Sequence, residues 1–145
     1  MTYTRQTEYG LRCLLHIAKA PEGRPVAMAE IAHAESYSLT FTQKILQKLR
    51  SSGLLEVRHG NRGGYLLAER PERISLKRVI SALEGGTFKV FCERNKPLAP
   101  CAHNRSCGLK SVWLRAKNLL DGYFDSVSLG DLLSPRRPGG IREKS

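Results

Sequence analysis

Three of the four cysteines, Cys92, Cys101 and Cys107, fall between Phe91 and Trp113 at the spacing C-x8-C-x5-C. Thiolates are soft ligands for zinc, iron and iron-sulfur clusters. Pro97 and Pro100 forbid a continuous helix there, so the stretch reads as a polar loop that needs an occupant to hold it. The spacing matches neither the paired C-x2-C of structural zinc nor the common ferredoxin runs. Three thiolates leave a fourth position, for which Glu8, His103, Cys13, an exogenous thiol or water are candidates. His103, two residues from Cys101, suits mononuclear zinc and is otherwise a loop histidine. Cys13 sits in an apolar helical run and reads more simply as a small core residue. Glu8 can equally pair with Arg12 at i,i+4. Reversible thiol sensing is a further possibility, because Arg94, Lys96, Arg105 and Lys110 would favour thiolates.

A second chemistry resides in a helix expected from about Leu39 or Thr40 to Ser52. Phe41, Ile45, Leu46 and Leu49 make one apolar stripe, and Thr40, Gln43, Lys44, Gln47 and Lys48 fall opposite. Thr40, Gln43 and Lys44 at its amino end have the donors and acceptors that read base edges, while Lys48 is expected to neutralise phosphate. After Gly53 come L-L-E-V-R, H-G-N-R-G-G and Y-L-L-A, two short strands around a Gly-rich turn. Arg58, His59 and Arg62 flank glycines that would let backbone approach a groove, and an Arg tip can read minor-groove width. G-N-R-G-G-Y lacks the phosphate-loop pattern and precedes no helix, which argues against nucleotide binding. A solvated polar face is the plain alternative, and helix order, wing and charge together weigh against it.

Other elements must position these residues. Leu11, Leu14, Leu15 and Ala18 recur at helical spacing from Thr4, a candidate N-cap, to Pro21, and V-A-M-A-E-I-A-H-A forms a second helix with Met28, Ile31 and Ala32 inward. Ser75 can cap a fourth helix with Leu76, Val79, Ile80 and Leu83 buried before Gly85-Gly86. From Gly108 to Val127 a long helix carries an apolar band too wide for one contact, which implies a second subunit as well as the chain's own first domain. S-L-G-D-L-L then makes a capped turn. The expected fold is mainly α with a small β hairpin: a winged helix-turn-helix over 1–86, a cysteine loop over 87–108, a dimerisation helix and short terminal helix over 109–134, and a disordered tail over 135–145.

Length allows one domain with a core of its own. The formal net charge of +11, from 24 Lys and Arg against 13 Asp and Glu, favours a polyanionic partner, nucleic acid first. No run approaches the ~20 apolar residues of a membrane span, and no secretory pattern opens the chain, so a cytoplasmic protein without membrane attachment is expected. In that reducing compartment clustered cysteines are metal or redox centres more often than disulfides.

T-R-Q-T-E-Y-G-L-R, K-I-L-Q-K-L-R-S-S-G-L, G-N-R-G-G-Y-L-L, S-C-G-L-K-S-V-W and S-L-G-D-L-L resemble the bacterial winged-helix iron-sulfur regulators that include IscR, NsrR and RirA, over nearly the whole chain. The resemblance implies a homodimer crossed through the 109–127 helix, a near-palindromic double-stranded operator and a cluster held by Cys92, Cys101 and Cys107. It places recognition on Thr40, Gln43 and Lys44 and wing contacts on His59 and Arg62. Glu8, reaching from the other subunit, stands where nitric oxide sensors of the group complete their cluster. Lys110 stands where the iron-sulfur cluster regulators have a histidine ligand, and the long first cysteine gap is nearer RirA, so 4Fe-4S is expected over 2Fe-2S. The expected function is operator binding, as a repressor, governed by nitric oxide, iron or redox state. The competing readings are a zinc-stabilised or thiol-responsive DNA-binding protein without a cluster and, more remotely, a small redox enzyme, for which the chain lacks a paired C-x-x-C, a clear general base and a pocket signature.

Overall fold

The apolar spacing that begins near Thr4 becomes α1, Arg5–Lys19, in a computed structural model that describes residues 3–89 and 106–134. Cys92, Cys101, His103 and the 135–145 tail lie outside the described residues. Cys13, Leu14 and Ile17 of α1 are buried. Thr4 occupies the N-cap position without capping through its own side chain. Its hydroxyl and backbone N–H instead donate to the Glu84 carboxylate, 80 positions away in sequence. A tertiary acceptor has taken the place of the local N–H donor that a capping oxygen would engage.

Helix α2, Met28–Glu35, stops at Ser36, whose φ of 59° is left-handed. Ser38 Oγ then accepts from Phe41 N at 3.2 Å and opens α3, Leu39–Ser51. Ile45, Leu46 and Leu49 are buried as the stripe predicts, Phe41 is half-buried, and Thr42 joins them by donating its hydroxyl to Ser38 O at 2.9 Å. Gly53, at φ 74°, takes the left-handed position after α3.

Strands β1, Leu55–Arg58, and β2, Gly64–Leu67, pair antiparallel with Leu55 opposite Leu67 and Arg58 opposite Gly64. Val26, in the α1–α2 connection, adds an isolated antiparallel bridge on the outer side of β2. Its N–H reaches Tyr65 O at 2.9 Å and its carbonyl accepts from Tyr65 N at 2.8 Å. Gly63 and Gly64 are needed for close approach within the protein. A Cβ on Gly64 would lie 2.5 Å from Val26 O, and one on Gly63 would lie 2.2 Å from Arg58 O.

After a 3-10 turn at Pro71–Arg73, Ser75 Oγ accepts from Arg78 N to begin α4, Leu76–Glu84, and Gly85 closes it at φ 77°. Helix α5, Gly108–Ser126, is followed by α6, Leu129–Leu133. Ser128 and Asp131 form a capping box, and those bonds to the Ser128 backbone and hydroxyl lower the Asp131 pKa. The chain here returns to the first domain. Leu76 N donates to Val127 O at 2.8 Å, Leu129 N donates to Ile74 O at 2.9 Å, and Leu129 is fully buried in the same core as Leu14, Ile45 and Val79. The fold class is the one expected: mainly helical, with a hairpin wing following the third helix. No helix among the described residues is long and apolar enough to cross a membrane.

Candidate nucleic-acid interface and cysteine centre

On α3, Thr40, Gln43, Lys44 and Gln47 are exposed opposite the buried stripe. At the wing tip His59 and Arg62 are also exposed. The side chains of Thr40, Gln43, Lys44, His59 and Arg62 make no hydrogen bond or ion pair among the described residues, so they are open to an external partner. Two other residues expected on this surface are already engaged. Arg58 Nη1 donates to Gly23 O at 3.0 Å, fastening the wing to the α1–α2 connection. Lys48 Nζ donates to Gln6 Oε1 at 3.2 Å and to Leu83 O at 3.5 Å.

The support behind α3 is a unit of α1 and α4. Glu84 accepts from Thr4 and Thr7, the latter at 2.5 Å. Burial opposes ionisation of Glu84, but these hydrogen bonds outweigh it and lower its pKa. Gly10 lets Leu83 approach so closely that a Cβ would stand 2.3 Å from Leu83 Cδ1. From the same end, Tyr3 Oη donates to Thr87 O at 3.2 Å, Thr87 bonds Asp121 of α5, and the rings of Tyr3 and Phe124 meet edge to face at 5.8 Å. Gln6, Glu84 and Thr87 were not legible as a group in sequence, since nothing local marks partners so far apart.

Cys13 is fully buried. Burial, helped by the Glu35 carboxylate, pushes its thiol up to about 12, so it packs as a neutral core group at ordinary pH. Cys107 is different. It is half-buried and immediately precedes α5, where the helix dipole favours a negatively charged occupant. Glu8 is exposed on α1 and makes no salt bridge with Arg12. Among the described residues no group of three or more His, Cys, Asp or Glu side chains could hold a metal. A half-buried thiol at a helix head is of the soft-donor type that zinc and iron-sulfur centres use.

Helix α5 has no buried residue. Leu109, Val112, Trp113, Leu119 and Tyr123 recur at helical spacing on one exposed stripe, Leu119 at 67% exposure and Leu109 at 62%. Its other side meets α4 and Tyr3.

Residues 3–135 match the model of the Rrf2 family, described as iron-dependent transcriptional regulators. The chain belongs to the Rrf2 family. Protein rrf2 of Nitratidesulfovibrio vulgaris is 30% identical over 133 residues, which is 92% of this chain and 87% of that protein. The HTH-type transcriptional regulator IscR of Escherichia coli is 27% identical over 134 residues, 92% of this chain and 81% of its own. Among solved structures, CymR of B. subtilis, the global cysteine regulator, superposes with a TM-score of 0.74 at 25% identity, covering 94% of this chain and 99% of that one. T. potens IscR gives 0.70 at 26% identity, covering 92% and 86%. This Rrf2-family chain is a DNA-binding transcriptional regulator, in a family of regulators rather than enzymes.

Proposed function

We propose that the protein is a homodimeric repressor, acting in the cytoplasm on a near-palindromic operator, and governed by an iron-sulfur cluster. Thr40, Gln43 and Lys44 would enter the major groove, and His59 and Arg62 would reach the flanking minor groove. The observation that carries the reading is the place of Cys107, a half-buried thiol at the head of the helix that presents the exposed apolar stripe. Ligand and dimer surface belong to one rigid element. In this reading 1–86 reads DNA, 87–108 holds the centre and 109–134 joins the subunits.

Cys92, Cys101 and Cys107 would hold the cluster, with Glu8 of the partner subunit as fourth ligand. Likeness to the RirA spacing, with Lys110 in place of the histidine ligand of the iron-sulfur cluster regulators, supports a 4Fe-4S type. Bound, such a cluster supplies a centre that responds to nitric oxide, oxygen or iron shortage. The chain's own part is mechanical. Asp121 of α5 bonds Thr87, Tyr3 bonds the same residue, and α1 packs on α3, so a shift at the head of α5 has a bonded route to the reading helix.

Serine substitutions test the ligand set. Cys92→Ser, Cys101→Ser and Cys107→Ser are each expected to abolish bound iron and sulfide in anaerobically purified protein, whereas Cys13→Ala keeps both. Iron and sulfide retained in any of the three serine variants would contradict the assignment. Zinc in their place, lost on His103→Ala, would favour the zinc-stabilised alternative.

A further inference from the structure

Lys48 lies one helical turn beyond Lys44 on the polar side of α3, where sequence position alone assigns it to a DNA phosphate. Its ammonium is spent elsewhere. In the groove between α1, α3 and α4 it spans two acceptors, Gln6 Oε1 at 3.2 Å and Leu83 O at 3.5 Å. Leu83 O is among the last carbonyls of α4, which have no partner within the helix and which attract a cation. Both acceptors belong to one firmly joined unit. Leu83 is buried against Gly10 of α1, and the adjacent Glu84 takes hydrogen bonds from Thr4 and Thr7. Gln6 precedes Thr7 in the same turn of α1.

We propose that Lys48 is a positioning residue for operator reading, which sets the rotation of α3 against the α1–α4 unit through Gln6 and the Leu83 carbonyl and does not contact DNA phosphate. Residues at i and i+4 share a helix face, so a rotation of α3 that frees Lys48 also displaces Lys44 and, one turn earlier, Thr40. Hydrogen bonds to base edges tolerate little displacement, whereas phosphate contacts carry no sequence information. The expected consequence is loss of discrimination. The inference rests on the reading that α3 enters the major groove.

Gln6 separates the two roles because it is neutral and its loss changes no charge. The test uses the full dimeric chain in one cluster state, an operator duplex selected by the wild-type protein from a random pool, and a scrambled duplex of equal length. Lys48→Met and Gln6→Met are each expected to lower the ratio of operator to scrambled affinity about tenfold, the scale of one misaligned base contact. The salt dependence of binding should be unchanged, and the double variant should lose no more than Lys48→Met alone. The proposal is overturned if Lys48→Met weakens both duplexes alike and reduces the salt slope by about 0.9, the signature of one lost phosphate contact, with Gln6→Met behaving as wild type. Gln43→Ala is run beside them. Unchanged base preference in that variant would overturn the α3 reading itself, and this inference with it, by a result distinct from either of the others.

Discussion

A Leu119→Glu protein is expected to migrate as a monomer and to bind a two-half-site operator roughly 100- to 10,000-fold more weakly, the range lost when linked binding events are uncoupled. Leu119 is 67% exposed near the middle of α5, on the stripe that includes Val112, Trp113 and Tyr123. A 19-residue helix with no buried residue has little tertiary packing to hold it in water. A second α5 laid against that stripe would supply the missing burial, and a carboxylate introduced there would be desolvated without a partner. Affinity for an isolated half-site should change little, because α5 packs chiefly on α4 rather than on α3 or the wing. A protein that remains dimeric by analytical ultracentrifugation would contradict this use of α5.

Leu129→Ala is expected to reduce folding stability by roughly 2–5 kcal/mol, the usual cost of truncating a fully buried leucine. Leu129 has no exposed surface and lies in the main core, although α6 follows the long helix in sequence. Its backbone N–H is also fixed to Ile74 O at 2.9 Å. The substitution therefore weakens the seam by which the far end of α5 is returned to the winged helix. Denaturant unfolding at fixed protomer concentration measures it, since dimerisation contributes to apparent stability. A loss below about 0.5 kcal/mol, the scale of an ordinary surface substitution, would show that α6 is not part of this core.

Residues whose environment is set within one turn were legible in sequence. The apolar stripe of α3, Ser75 as a cap, the end of α4 at Gly85, and Cys13 as a core residue all follow from local spacing and backbone chemistry. What escaped depended on partners far along the chain. Thr4 serves Glu84, Gly64 makes room for Val26, Arg58 is fastened to Gly23, and Lys48 is drawn to Gln6 and Leu83. In each case a residue type with an ordinary local role found a stronger tertiary one. The charge of Lys48 and Arg58 was visible, while the protein's own acceptors that engage it were not. For the cysteine centre, residue type carried the reading, and the fold adds Cys107 at the head of α5 and Cys13 inside the core.

The central claim is that Cys92, Cys101 and Cys107 hold an iron-sulfur cluster whose state sets operator affinity. Its most direct test is one anaerobic sample, followed by absorption and native mass spectrometry and titrated against operator DNA before and after stoichiometric nitric oxide. The account predicts a coloured dimer carrying iron and sulfide, with operator affinity changing at least about fivefold when the cluster is modified, the lower end of ordinary allosteric coupling. A colourless protein carrying zinc, binding the operator identically throughout, would contradict it.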